Sequence, residues 1–150
     1  MLQVRTVYLF ATPCVTRLAF GSVDFQLDTG IEDEKEGLLY VRSRIVLASA
    51  AAKLEPPVDG VTVAIDDTQS LARDVSSARK LGFGAKLCIH PRQVSAVNEG
   101  FGPSDEDLLW ARSVVDAAAR SDGFGAIRLN GKLIDRPVVE RAKRMLEGAR

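Results

Sequence analysis

Apolar and polar positions follow two rhythms along the first hundred residues, and the two rhythms alternate. The runs 16–21, 58–65 and 85–89 are mostly apolar, which is typical of strands buried on both faces of a parallel sheet. The segments 37–53 and 67–80 instead carry apolar residues at helical spacing along one stripe. A strand–helix–strand–helix–strand order predicts right-handed βαβ units, so the fold class is α/β with a parallel sheet.

The last fifty residues follow a different pattern. Ser104–Asp107 form a capping-box sequence, which predicts the start of a long helix. Asn130 and Gly131 separate two short alternating runs, which predicts a tight β-hairpin over 127–134. An amphipathic segment over 138–146 comes next. The chain is therefore expected to end in a hairpin followed by a helix.

Composition narrows the function without identifying it. The 150 residues fit one ordinary domain, and 46% apolar content is enough for a core. The 20 basic and 20 acidic side chains cancel, so we expect neither nucleic-acid nor membrane-surface binding, which favour a basic excess. The chain has no run of about 18 apolar residues that would span a membrane. Cys14 and Cys88 predict free, buried thiols in a reducing compartment, and we expect a cytoplasmic protein.

One carboxylate stands out in the first apolar run. The run ends at Gly21 and Ser22, and Asp24 follows two residues later. An α/β enzyme presents a metal-binding or catalytic acid in this way at the carboxyl end of a buried strand, because a buried carboxylate is costly unless it is paired or binds a metal. Asp24 equally suits the cap of a turn or helix. The residues alone leave both interpretations open.

Other polar residues at predicted strand ends have the same two interpretations. His90 is the only histidine and lies next to Pro91, where it could face a catalytic site or serve the structure. Asp66 and Asp67 end the second strand, and capping the next helix is the simpler role. Asp135 precedes the last helix and could be its N-cap.

Several motifs in a fixed order resemble those of a known family. They are Arg17–Asp28, Pro57–Gly60, Ala64–Asp67, Leu81–Pro91 and Gly131–Pro137. Together they resemble the citrate lyase beta-subunit family of CoA-ester lyases, within the HpcH/HpaI aldolase superfamily. The likeness runs from about Val15 to the C-terminus, whereas residues 1–14 do not look like the family.

The resemblance implies a fold and a division of the chain. The family fold is a (β/α)8 TIM barrel with a C-terminal lid, assembled as a homo-oligomer, a trimer or hexamer. This chain would correspond to the C-terminal half, with about three parallel strands and their helices plus a hairpin–helix lid. We therefore expect an atypical N-terminal segment over 1–14, a partial TIM-barrel domain over 15–125 and a lid segment over 126–150.

The resemblance also implies an activity and roles for particular residues. The family cleaves carbon–carbon bonds of a 3-hydroxyacyl-CoA, such as citryl-CoA or malyl-CoA, with Mg²⁺ as the cofactor that holds the oxo-acid. Asp24 matches the metal-ligating Asp. The turn Gly21, Ser22 and Val23 matches the backbone that faces the substrate carboxylate. Asp135 matches a lid Asp that acts as acid or base in the site of a neighbouring subunit.

The sequence also departs from the family pattern. The family's second metal ligand, a Glu, and its substrate-binding Arg lie on strands before the position of Arg17, and no such segment is found here. We therefore expect weak Mg²⁺ binding and little or no lyase activity from this chain alone. An alternative is a non-catalytic barrel fragment or subunit that pairs with another chain through the strand edge at 16–21. An aldolase for free oxo-acids is a further possibility, which the Asp135 tail disfavours.

Overall fold

The structure, a computed structural model, divides into two compact units. It describes residues 14–33, 35–120, 127–129 and 131–148. The first unit runs up to Phe101, and the second begins at Gly102. The predicted segments 1–14, 15–125 and 126–150 refer to roles in the family, and they stay a prediction. Residues 1–13 and Asn130 lie outside the described residues.

The first unit contains four helices and a short parallel sheet among its described residues. The helices are α1 (Ser22–Thr29), α2 (Glu36–Ala51), α3 (Thr68–Leu81) and α4 (Arg92–Phe101), and the strands are β1 (Val58–Asp59) and β2 (Ala85–Lys86). β1 and β2 pair in parallel, with Val58 opposite Ala85 and Asp59 opposite Lys86. Ala19 adds a parallel bridge to Val58. The predicted alternation of parallel strands and helices is therefore confirmed.

The predicted strand lengths are wrong. The segments 58–65 and 85–89 each contribute two strand residues, and the run 16–21 contributes a single bridge. Beyond β1 and β2, side chains form hydrogen bonds with backbone groups that would otherwise pair between the strands. Gln93 donates from Nε2 to the Thr62 carbonyl at 2.9 Å and accepts from the Ile89 amide at 3.0 Å. Its fully buried amide thus replaces the ladder between the two segments.

The apolar residues beyond these strands are not covered on both faces. Four large side chains in the two segments are exposed by 38–56%, namely Val63, Ile65, Leu87 and Ile89. The expectation of strands buried on both faces is therefore wrong for this part of the structure. The segments are apolar in sequence, but the described residues do not cover them.

The residues that the sequence predicts to begin and end helices do so in the structure. The Asp67 carboxylate accepts a hydrogen bond from the Ser70 amide at 2.9 Å and caps α3. Gly82 ends α3 with a φ of 102°, a conformation that glycine adopts without strain. The inward stripe of α3 is buried as predicted, and Leu71 and Val75 pack against Val97 of α4.

The second unit is built from α5 (Asp105–Ala119), β3 (Ile127–Leu129), β4 (Lys132–Ile134) and α6 (Arg136–Glu147). Ser104 and Asp107 cap α5 reciprocally, as the capping-box sequence predicts. β3 and β4 form the predicted antiparallel hairpin, with Ile127 opposite Ile134. The buried core of this unit contains Ala111, Val114, Ile134 and Ala142.

None of the described helices is both long enough and apolar enough to cross a bilayer.

The role of Gln93 in replacing the ladder can be tested by its removal. In Gln93→Leu, the Thr62 carbonyl and the Ile89 amide lose their partner, and the buried carbonyl of Thr62, left unsatisfied, costs about 1–3 kcal/mol. We expect the free energy of unfolding, measured by urea titration with circular dichroism, to fall by at least about 2 kcal/mol. Gln69→Leu, on the exposed side of α3, is the control and should change it little. Equal losses in the two variants would contradict the role.

Candidate functional site

Asp24 lies in the first turn of α1 and is exposed to solvent. The expectation of a buried carboxylate at the end of a strand is therefore wrong. The chain turns into α1 directly after Phe20, because Gly21 is the N-cap and the helix starts at Ser22. A negative charge in the first turn of a helix interacts favourably with the helix dipole, so Asp24 needs no partner to be tolerated there.

The turn before Asp24 is tied to the parallel sheet. The Phe20 amide donates to the Val58 carbonyl at 2.9 Å, and the Ser22 amide donates to the Phe20 carbonyl at 3.1 Å. Phe20 itself is buried. The predicted substrate-binding turn, Gly21, Ser22 and Val23, thus follows the bridge to β1 immediately. Its role in binding substrate stays a prediction.

The described residues do not form a magnesium site by themselves. They contain no group of three or more His, Cys, Asp or Glu side chains that could hold a metal ion. Asp24 provides a hard oxygen ligand of the kind Mg²⁺ prefers, but Mg²⁺ is octahedral and is bound by one or two carboxylates together with waters and substrate. Asp24 therefore fits one position of such a site, and the remaining ligands have to come from elsewhere.

Asp135 is the N-cap of α6. Its Oδ1 accepts a hydrogen bond from the Val138 amide at 3.2 Å, and Pro137 lies in the first turn of the helix. The capping interpretation of Asp135 is thus directly observed. The residue is exposed, so capping leaves the carboxylate accessible. The predicted acid–base role stays a prediction.

His90 and Asp66 have structural partners near the start of α4. His90 Nδ1 accepts a hydrogen bond from the Arg92 amide at 3.2 Å, and its carbonyl accepts from the Gln93 amide at 3.0 Å. Asp66 forms an exposed ion pair with Arg92 at 3.3 Å. These contacts support the structural interpretation of His90. The expectation that both cysteines are buried is wrong, because both are free and exposed.

A buried ionic cluster that the sequence did not reveal lies beneath the Ser22 turn. Arg42 binds Asp59 through two hydrogen bonds, Nη2 to Oδ2 at 2.7 Å and Nε to Oδ1 at 3.1 Å. The Lys86 Nζ lies 3.9 Å from Asp59 Oδ2 and donates to the Gly60 carbonyl at 2.8 Å. The available signal was the presence of charged residues within apolar stretches, since Asp59 and Lys86 occur inside predicted strands.

The cluster borders a small pocket of about 100 Å³. Polar residues from several elements line it, including Ser22, Arg42, Asp59, Asp74 and Lys86. Its volume is sufficient for a few water molecules. Burial lowers the pKa of the Lys86 amine, and the neighbouring Asp59 and Asp74 carboxylates oppose that shift.

Comparison with known proteins identifies the family. The family model described as HpcH/HpaI aldolase/citrate lyase matches residues 3–91. The chain belongs to the HpcH/HpaI aldolase/citrate lyase family. The match begins at residue 3, so the likeness extends further toward the N-terminus than the sequence motifs indicated.

Two curated relatives show how much of the family protein is represented. The chain is 35% identical over 142 residues to the citrate lyase subunit beta-like protein of Deinococcus radiodurans, covering 92% of this chain and 50% of the relative. It is 34% identical over 130 residues to the mitochondrial citramalyl-CoA lyase of Homo sapiens, covering 84% and 38%. The chain thus spans half or less of the length of these relatives.

Solved structures agree with this assignment. CitE from Mycobacterium tuberculosis, in complex with magnesium, acetoacetate and coenzyme A, has a TM-score of 0.77 and 31% identity, covering 87% of this chain and 51% of that one. A citrate lyase from Burkholderia xenovorans has a TM-score of 0.79 and 28% identity, covering 95% and 48%. The fold of this chain therefore matches about half of a citrate lyase-type structure.

The buried amine predicts a pH dependence of stability. The pKa of Lys86 is lower in the folded chain than its ordinary value of 10.5, so the unfolded chain holds the proton more tightly. Stability from this group therefore rises with pH between the lowered pKa and 10.5, and falls again on acidification. Urea unfolding over this pH range should show wild type gaining stability relative to Lys86→Met. Lys80→Met, with an exposed amine, is the control, and parallel curves for all three proteins would contradict the assignment.

Proposed function

We propose that this chain carries part of the active site of a Mg²⁺-dependent lyase that cleaves a carbon–carbon bond of a 3-hydroxyacyl-CoA. The observation that supports it most directly is the placement of Asp24, one residue after a turn that is bonded to the parallel sheet. The likeness to CitE in complex with magnesium, acetoacetate and coenzyme A supports the same ligands here. The substrates would be a CoA thioester of the citryl, malyl or citramalyl type and its oxo-acid product.

Each predicted residue has a role that its surroundings allow. Asp24 would supply one carboxylate ligand to the metal, because it is exposed and therefore accessible to the ion. The turn Gly21, Ser22 and Val23 would face the substrate carboxylate, since backbone N–H groups at a turn attract anions. The Ser22 amide already donates to the Phe20 carbonyl, so the amides of Gly21 and Val23 are the ones that would bind it. Asp135 of one copy would reach the site of a neighbouring copy and exchange a proton with the acetyl group bound there. This requires a homo-oligomer, a trimer or hexamer. Bound Mg²⁺ would polarise the carbonyl oxygen of the oxo-acid.

The proposal includes weak activity of this chain by itself. Among the described residues Asp24 has no partner carboxylates that would complete a metal-binding group. A single carboxylate holds Mg²⁺ weakly, because the ion parts reluctantly with its waters. We therefore expect the isolated chain to need ligands from another segment or chain before it is active.

A chimera separates the contribution of this chain from that of the missing ligands. In the chimera, this chain replaces the matching segment of human citramalyl-CoA lyase, and citramalyl-CoA cleavage is followed by trapping the released oxo-acid. We expect Mg²⁺-dependent cleavage by the chimera and little by the isolated chain. Asp24→Ala in the chimera should lower kcat/KM by at least about 100-fold, since even residues that support metal ligands are worth 10–100-fold.

Asp28→Ala is the matched control, because Asp28 is also an exposed carboxylate of α1. It should leave the rate of the chimera within about threefold. A folded chimera whose activity is insensitive to Asp24→Ala would refute the metal-ligand role. An isolated chain as active as the chimera would refute the expected dependence on further ligands.

A second candidate function is that of a non-catalytic subunit that pairs with another chain. The exposed apolar side chains beyond β1 and β2, which we call the strand-end patch, favour it: Val63, Ile65, Leu87 and Ile89. Four large apolar side chains on adjacent segments are an association surface of the kind that proteins cover. A second copy of this chain is the partner that the family's oligomeric assembly would supply.

Sedimentation of the purified chain tests this candidate. We expect wild type to form a dimer or larger assembly, because association removes the strand-end patch from water. Leu87→Asp should shift the chain toward the monomer by placing a charge in the patch. Leu27→Asp is the control, since Leu27 is 84% exposed on α1, away from these segments in sequence. A monomeric wild type, or equal shifts in both variants, would argue against pairing through this patch.

A further inference from the structure

The buried amine of Lys86 is directed at the backbone rather than at an acid. The Lys86 side chain is 3% exposed, and its Nζ lies 3.9 Å from Asp59 Oδ2, beyond hydrogen-bonding distance. Both oxygens of Asp59 are already bound by Arg42. The short contact of the amine is with the Gly60 carbonyl, at 2.8 Å. Lys86 thus holds the first residue after β1 in place.

Gly60 in turn packs directly against Ser22. A Cβ atom at Gly60 would lie 2.5 Å from the Ser22 Cβ, a distance that real side chains do not reach. The φ of Gly60 lies outside the left-handed region, so glycine is needed here for space and not for backbone conformation. The position of Gly60 therefore determines where Ser22 can lie.

Few contacts hold α1 in place, and its start provides some of them. None of its eight described residues is buried. Its N-cap, Gly21, has no side chain with which to cap it. A helix with so little buried surface opens locally at low cost. Its placement therefore depends on a few contacts: those of its first turn, and the ring contact of Phe25 with the buried Phe20, whose centroids are 5.6 Å apart.

From these contacts we infer that Lys86 is a positioning residue for Asp24. The amine holds the Gly60 carbonyl, and Gly60 packs against Ser22. Lys86 therefore fixes the position of Ser22, and with it the first turn of α1, which carries Asp24. Its value for catalysis rests on the proposed role of Asp24. The mechanical coupling from Lys86 to α1 does not depend on that role.

Stability alone is a poor explanation for an amine at this position. Taking an ammonium group out of water is costly, and replacing buried charges by apolar side chains of similar volume is often neutral or stabilising. A methionine would fill the same space without that cost. What methionine cannot supply is the hydrogen bond to the Gly60 carbonyl, and that bond is the contact that leads to Ser22.

Hydrogen exchange of the full 150-residue chain tests the coupling, without metal or substrate. In Lys86→Met, we expect amides of 22–29 to exchange about tenfold faster, while those of 68–81 change less than about twofold. Gly60→Ala should have the same selective effect, because its Cβ would displace Ser22. Since no ligand is present, a failure of Asp24 as a metal ligand would leave these results unchanged.

Two matched controls separate positioning from general destabilisation. Lys80→Met removes an exposed amine and should leave the exchange of α1 unaltered. Gly100→Ala introduces comparable crowding, with its Cβ 2.5 Å from Val75 Cγ1 in the contact of α3 with α4, so it should act on α3 rather than on α1. Unchanged exchange of α1 in Lys86→Met, or equal acceleration of α1 and α3, would overturn the inference. If Lys86→Met does not fold, the comparison of Gly60→Ala with Gly100→Ala decides, and equal patterns there would overturn it.

Discussion

The two hydrogen bonds between Arg42 and Asp59 join α2 to β1 of the parallel sheet, and the packing of the residues around the pocket depends on them. Both side chains are almost fully removed from water, so each would be costly without the other. Breaking such a buried pair by removing one partner costs about 3–5 kcal/mol. Because Asp59 lies opposite Lys86 in the parallel register, this pair also sets the surroundings of the amine on β2.

The side chains of Lys86 and Gln93 account for the short strands. A parallel ladder would continue past Asp59 and Lys86, but two side chains take its place: Lys86 at the Gly60 carbonyl and Gln93 between Thr62 and Ile89. The segments therefore separate without leaving their polar groups unpaired, which would be the main cost of ending a sheet in this way. The separation leaves room for the pocket beside Ser22 and leaves the strand-end patch exposed.

Local signals in the sequence predicted local structure well. The cap at Asp67, the capping box at Ser104 and the hairpin before Asp135 depend on residues that are neighbours in the chain, so the sequence contains all that is needed. Strand length depends on side chains from distant elements, such as Gln93, and no periodicity reveals them. The family followed from ordered motifs, whereas the ionic cluster required contacts between three separate segments.

Of the two positions considered for Asp24, the structure shows the exposed helical turn and not the buried strand end, and this bears on its proposed chemistry. A buried carboxylate would have to be paired within this chain, and its metal affinity would then compete with that pairing. An exposed carboxylate is accessible, so it can bind an ion whose other ligands come from outside the described residues. The exposure of α1 has a drawback: none of its residues is buried, so few contacts hold the helix in position. The contact of Gly60 with Ser22 compensates for this, because it fixes the start of the helix while leaving the carboxylate in solvent.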